Sequence, residues 1–285
     1  MKRTGAAFVL AASLLATPRA FALDKQGSAH GGQLGGAGGG FNVSGALSAG
    51  VSVYNPSYAA RPDNTGLALM RYAAHVDLDL IGQRLSIPID VNMFTDKERE
   101  GAAKFAPTEL DLIGGVTSTW PVGKGAVEVG TRYEEDRPLD RAGKKQRYVD
   151  ARARYLYSLE RYLDGLSPAL RGGDIRGWAT LGWFAYNPSY FARPDNTGRA
   201  LLRYGLHTEI SAFDDLVALG LDATMFTDRT ADNPVRPSEL DFTPEIIVRP
   251  DDFEVHLAYE IDMPLDQGTY RQQFIYLLGV WAFDP

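Results

Sequence analysis

Ala68-Leu-Met-Arg-Tyr-Ala-Ala-His-Val-Asp-Leu-Asp-Leu80 decides how this chain folds. Ala68, Met70, Tyr72, Ala74, Val76, Leu78 and Leu80 share one parity. Arg71, His75, Asp77 and Asp79 share the other. A strict period of two makes a β-strand with one apolar and one charged face. The same alternation returns along most of the chain. Leu85, Ile87, Ile89, Val91 and Met93 oppose Ser86, Asp90 and Asn92; Val127, Val129 and Tyr133 oppose Glu128, Arg132 and Glu134. Val149, Ala151, Ala153, Tyr155 and Tyr157 oppose Asp150, Arg152 and Arg154. Phe253, Val255, Leu257, Tyr259 and Ile261 oppose Glu254, His256 and Glu260. Helical periodicity is almost absent. On this reading no charge falls on the apolar face of any strand.

The stretch that precedes residue 68 occurs twice. Tyr54-Asn-Pro-Ser-Tyr-Ala-Ala-Arg-Pro-Asp-Asn-Thr-Gly66 returns 132 residues later as Tyr186-Asn-Pro-Ser-Tyr-Phe-Ala-Arg-Pro-Asp-Asn-Thr-Gly198, with one change in thirteen positions. Arg71, Tyr72 and His75 then match Arg203, Tyr204 and His207, and Met93-Phe-Thr-Asp96 matches Met225-Phe-Thr-Asp228. Glu109-Leu-Asp111 matches Glu239-Leu-Asp241, and Asp136-Arg-Pro-Leu-Asp140 matches Asp262-Met-Pro-Leu-Asp266. The chain is a duplication of one six-stranded unit. Strands are predicted near 45–55, 67–81, 84–95, 108–120, 125–136 and 147–158, and again near 177–187, 199–212, 215–227, 238–248, 252–262 and 272–283. Pro88 and Pro244 each remove a ladder donor, which predicts bulges or strand ends there.

Connections alternate between short turns, such as Gly82-Gln83, Pro121–Lys124 and Pro250-Asp251, and loops of roughly 10–15 polar residues. The connector Leu159–Asp174 joins the copies on the short-turn side, with a helical turn expected at Leu159–Leu163. Short turns at one end, long loops at the other and an even strand count resemble a bacterial outer-membrane barrel. Lipid-facing walls end in aromatic girdles, as at Trp120, Tyr133, Tyr155 and Trp183. The final strand, Gln272–Phe283, alternates and ends in an aromatic. Outer-membrane barrels resemble this, and the resemblance implies recognition by the barrel-insertion machinery; here Asp284-Pro285 follow the aromatic. The expected fold is all-β, a twelve-stranded antiparallel transmembrane barrel of porin-like class, with both termini in the periplasm of a Gram-negative cell.

The chain's ends fit that placement. Met-Lys-Arg, an apolar run from Thr4 to Pro18 and Arg19-Ala-Phe-Ala22 read as a signal peptide over 1–22. Residues 23–43 are a Gly-rich flexible leader. The barrel spans 44–285, as repeat 44–158, connector 159–174 and repeat 175–285. There is no cysteine, so thiol chemistry and thiolate metal sites are excluded. Losing Lys2, Arg3 and Arg19 takes the formal charge from −7 to −10. Such an acidic protein is not a nucleic-acid binder.

On this reading the charged faces line the lumen. Acids are Asp77, Asp79, Asp90, Glu109, Asp111, Glu128, Glu134 and Asp150, then Glu209, Asp222, Glu239, Asp241, Glu245, Glu254 and Glu260. The bases are Arg71, Arg132, Arg152, Arg154 and Arg203. Such an excess favours cations and small polar solutes; equally, the arginines can pair the acids into a lattice that holds the barrel round. Lumen-lining candidates include Arg71, His75, Asp90, Glu109, Asp111, Glu128, Arg152, Arg203, His207, Asp222, Glu239, Asp241, Glu254 and His256. His75 and His207, near Asp90 and Asp222, read as hydrogen-bonded lumen histidines, and no metal or cofactor is expected. No histidine falls on the apolar face, and neither Gly-x-Ser-x-Gly nor His-Glu-x-x-His occurs, so no enzyme is expected. In the repeated loops, Pro, Asn and Gly are turn chemistry. Tyr54, Tyr58, Arg61 and Asp63, with Tyr186, Tyr190, Arg193 and Asp195, form a candidate constriction or ligand clamp at the mouth. The expected function is a channel for small polar solutes embedded in outer-membrane lipid. Its rivals are a plugged structural or adhesion barrel with partner-binding loops, and a soluble periplasmic pair of β domains that binds glycans.

Overall fold

A computed structural model describes residues 41–54, 68–81, 84–95, 105–139, 146–159, 163, 165–186, 200–227, 235–250, 253–265 and 272–283. The predicted signal peptide and nearly all of the leader lie outside them. So do Tyr58, Arg61, Asp63, Tyr190, Arg193 and Asp195, while only the backbone of Tyr54 and Tyr186 is described.

Twelve strands close on themselves. They are β1 (Asn42–Tyr54), β2 (Ala68–Asp79), β3 (Leu85–Phe94), β4 (Glu109–Val122), β5 (Gly125–Pro138), β6 (Gln146–Leu159), β7 (Ile175–Tyr186), β8 (Ala200–Ala212), β9 (Val217–Thr227), β10 (Pro237–Val248), β11 (Phe253–Pro264) and β12 (Gln272–Phe283). Each pairs antiparallel with its sequence neighbours, and β12 returns to β1. Directly paired residues share a face, so the registers fix what points inward. Gly50 of β1 sits opposite Leu278 and Arg71; Ser52 sits opposite Tyr276 and Leu69.

Outward parities expose Trp120, Val129, Tyr133, Tyr155, Leu181, Trp183, Leu219, Leu257, Ile275, Leu277 and Trp281. Inward parities bury Arg71, His75, Asp90, Asp111, Arg132, Asp150, Arg152, Arg203, His207, Asp222 and His256. Exposed apolar residues outside and buried charges inside invert a soluble protein. Closure leaves no open sheet edge, as a lipid environment demands. This is the architecture of an outer-membrane β-barrel.

Three residues depart from the expected unbroken apolar face. Glu135 and Arg137 of β5 and Arg147 of β6 take outward parities, in register with Leu112, Leu110 and Glu135 respectively. They carry the only charges on the outward face of the described strands. The prolines depart too. Pro88 pairs with Asp77, and Pro244 with Leu221, inside their strands. Pairing lapses on the other flank at Ile87-Pro88 and Thr243-Pro244, with no change of register across either gap. The missing donor is absorbed by a local break in one ladder, and neither a bulge nor a strand end is needed. In the connector, a 3₁₀ turn forms at Pro168–Leu170, capped by the Ser167 hydroxyl.

Single hydrogen bonds recur at matching positions of the two halves. Met70 N donates to Thr95 Oγ1 at 3.0 Å, and Leu202 N to Thr227 Oγ1 at 3.0 Å. Thr108 Oγ1 donates to the Phe94 carbonyl and Ser238 Oγ to that of Phe226, both at 3.3 Å. Tyr72 and Tyr204 hydroxyls donate to Phe105 and Val235 carbonyls.

Candidate functional site

All fourteen lumen candidates lie on inward parities. What surrounds them differs from an even acidic coat. Arg132 (β5), Arg152 and Arg154 (β6), Arg176 (β7) and Arg203 (β8) occupy four consecutive strands, and among the described strands only Arg71 of β2 is an inward arginine elsewhere. Acids dominate β2–β4 and β9–β11, where Asp262 adds to the excess, and Asp136 of β5 faces Asp111 across the β4–β5 ladder. The lumen therefore has a charge-balanced wall, where Glu128, Glu134, Asp136, Asp150 and Glu209 match five arginines, flanked by two acidic ones.

The arginine-bearing wall is tied together through Asp150. Arg132 Nε donates to Asp150 Oδ2 at 3.1 Å, and Arg203 NH1 reaches the same oxygen at 3.6 Å from two strands away. Gly182 on β7 lies between, where a Cβ would come within 2.7 Å of the Ala151 carbonyl oxygen and 3.0 Å of Arg152 Cβ. Glycine there lets charged side chains cross the intervening strand. Arg154 pairs with Glu128 at 3.5 Å and lies 5.3 Å over the Trp178 ring. Arg71 lies over Phe94 (5.0 Å) and Tyr276 (5.3 Å), and Arg203 over Phe226 (5.6 Å). Aromatic faces thus share the arginine charge in both halves.

Each of the three described histidines is held by carboxylates. His75 Nδ1 and Nε2 meet Asp90 and Asp77, both at 2.7 Å. His256 meets Glu245 at 2.6 Å and Glu254 at 2.7 Å. His207 Nδ1 meets Asp222 at 2.8 Å while its ring stacks on Trp178, centroids 4.1 Å apart. His75 and His207 stand on β2 and β8, six strands apart, so each answers to its own aspartate. Since a carboxylate only accepts, a histidine between two carboxylates carries a proton on both nitrogens, or one carboxyl is protonated. All three face the lumen, with both nitrogens of His75 and His256 and Nδ1 of His207 held by acids. That leaves no nucleophile–histidine pair on the lipid face among the described residues.

At the short-turn end, sequence reasoning missed a clasp. Arg176 donates to Glu209 (2.7 Å) and Asp215 (3.3 Å). Arg249 reaches Glu209 (2.8 Å), Asp215 (3.3 Å) and Glu254 (3.0 Å). Arg249 and Asp215 lie in turns, where parity says nothing about direction. Phe213, Asp214 and Asp215 all hold positive φ (55°, 55° and 67°). Each costs a non-glycine residue about 1 kcal/mol or more, and the Asp215 ion pairs offset part of that.

The inward face of β12 was also missed. Phe274, Tyr276, Leu278 and Val280 are buried against Ala46, Ala73 and Ala258. The signal is present in Phe274-Ile-Tyr-Leu-Leu-Gly-Val-Trp281, which is apolar on both parities.

No protein-family model and no curated protein matches the chain. Among solved structures, it is similar to the KdgM porin in complex with disordered oligogalacturonate, at 5% identity over 84% of this chain and 99% of that one, TM-score 0.48. It is similar to the NanC porin at 8% identity over 82% and 98%, TM-score 0.47. The Acinetobacter baumannii outer membrane protein Omp33 is 11% identical over 85% and 98%, TM-score 0.45.

Proposed function

We propose that the barrel is a non-enzymatic outer-membrane channel through which small polar solutes pass, with cations favoured over anions. Both termini would face the periplasm, since the short turns lie at their end, and the insertion machinery would read β12.

One observation carries this reading. The buried Asn92 Oδ1, Asp111 Oδ1 and Trp178 Nε1 have no hydrogen-bond partner within the described protein. A permanently dry interior leaves each such atom at a cost of roughly 1–3 kcal/mol, whereas water or a passing solute relieves it. Selectivity follows from the walls. A cation runs between the acids of β2–β4 and β9–β11, while Arg132 and Arg203 are already paired to Asp150, Arg154 to Glu128 and Arg176 to Glu209. The repeated Tyr54 and Tyr186 loops are proposed to border the mouth.

A second reading has its own support. Arg132, Asp150 and Arg203 are each less than 10% exposed, which also suits a lumen closed by its ion pairs. Planar-bilayer recording separates the two. Discrete, small conductance steps with a reversal potential shifted toward the cation are expected, and Asp222→Asn with Glu254→Gln should reduce that shift. Silence would establish the plugged barrel, and anion selectivity would overturn the assignment to the acidic walls.

A further inference from the structure

The outward charges at the β5–β6 rim have no use in a channel, and their place on the wall is informative. Tyr133 ends the apolar run of β5 and belongs to the exposed girdle. Glu135 and Arg137 are the next two outward positions, about 7 and 14 Å further along the strand. Arg147 stands beside Glu135 on β6. Below them, beside Tyr133, lies exposed Val149, while outward Leu112 of β4 stands level with Glu135. The cluster therefore sits just past the hydrocarbon band, at the depth of lipid headgroups.

Its chemistry is asymmetric. Glu135 is buried, accepting from the Tyr133 hydroxyl at 2.7 Å and from Arg137 Nε at 2.5 Å, and meeting Arg147 Nε at 3.3 Å. The two arginine side chains are 46% and 49% exposed. One carboxylate thus fixes two guanidiniums through Nε, which leaves their terminal NH2 groups as the donors suited to an acceptor from outside. The trio carries one net positive charge. Two forked donors over an apolar wall match a phosphate group with acyl chains beneath it.

In the second copy the same outward positions hold Tyr259, Ile261, Met263 and Gln273, with Ile261 paired to Gln273 as Glu135 is to Arg147. The tyrosine recurs and the charges do not. A wall that needs only to stand in lipid is built without them.

The geometry points to a binding site for the phosphate of a lipid headgroup at Arg137 and Arg147, held in place by Glu135, on one side of the barrel only. It requires that the barrel span a membrane, and is independent of conduction. The test is native mass spectrometry of the intact barrel in dodecyl maltoside with phosphatidic acid or diacylglycerol, which differ by the phosphate alone. One phosphatidic acid is expected to stay bound per barrel, and diacylglycerol none. Arg137→Gln/Arg147→Gln should weaken retention roughly fivefold per arginine removed, with folding checked by heat-modifiable gel migration. Equal retention of the two lipids overturns the site without recourse to any variant. So does undiminished retention by the folded double variant. Displacement of phosphatidic acid by millimolar inorganic phosphate would assign the site to a free ion and overturn the lipid assignment.

Discussion

His75 and His207 occupy matching places in the two halves, hold matching aspartates at 2.7 and 2.8 Å, and keep different company. Around His75, Ala46 leaves space and Asp77 takes the second nitrogen. Around His207, Trp178 fills the place of Ala46 and stacks on the ring. Glu209, the counterpart of Asp77, is drawn away to Arg176 and Arg249. The framing contacts recur between the halves; the lumen contents do not. Backbone pairing and the hydroxyl contacts that frame the strands recur in both copies, with Ser238 in the place of Thr108. The lumen side chains differ between the copies, and most of the arginines gather with Trp178 on β5–β8.

The largest expected effect breaks this difference at its bulkiest point. Trp178→Ala removes the stack on His207 and the surface under Arg154, and should cost about 3–5 kcal/mol. Ala46→Gly, its counterpart, should cost no more than about 1 kcal/mol. Urea titration of the folded barrel in detergent, read by tryptophan fluorescence and by gel migration, gives both numbers. A Trp178→Ala loss no larger than that of Ala46→Gly would mean the indole is not part of the packed wall.

Next in size is the loss of each aspartate. Asp222→Ala leaves His207 without its carboxylate partner, at about 1–3 kcal/mol. Asp90→Ala should cost less, because Asp77 still holds His75. The two unfolding midpoints, compared with the parent, settle the order. An equal or reversed order would show that the second carboxylate adds nothing.

The smallest effect on stability, under about 1 kcal/mol, belongs to a graft. Ile261→Glu, Met263→Arg and Gln273→Arg together copy the β5–β6 rim onto β11–β12. Its signature is a second retained phosphatidic acid by native mass spectrometry. A graft that folds and retains only one would show that the rim charges need a setting the second half does not provide.

Much of the fold was legible, because a barrel wall is a one-dimensional pattern. Alternation around Arg71 and His75 located the strands and assigned their faces, and most strand ends agree to within three residues. The exceptions have physical causes. Glu135 was passed over because two acids in succession hide which one belongs to the lumen. Glu134 takes the inward place, and Glu135 is tolerable outside only because Arg137, Arg147 and Tyr133 satisfy it. Arg249 lies in a turn, where a period of two gives no direction. Trp178 fell on an inward parity from the start, but a search for charges does not register an indole. The segregation of arginines onto β5–β8 required strand order around a closed circle, which residue counting discards. Pro88 and Pro244 showed that a lost donor need not end a strand where one flank stays paired.

The seam has a consequence for how the cylinder is finished. Neither β1 nor β12 contains an ionisable acid, arginine, lysine or histidine, whereas each of the other ten strands does. The first and last strands therefore meet with small and apolar side chains on the inside: Ala46, Ser48 and Gly50 against Leu278, Val280 and Ala282. Every ion pair described above can be in place on an open, curled sheet before its two edges touch. Sealing then brings together only hydrogen-bonding backbone and neutral surface, with no charge to desolvate at the last step.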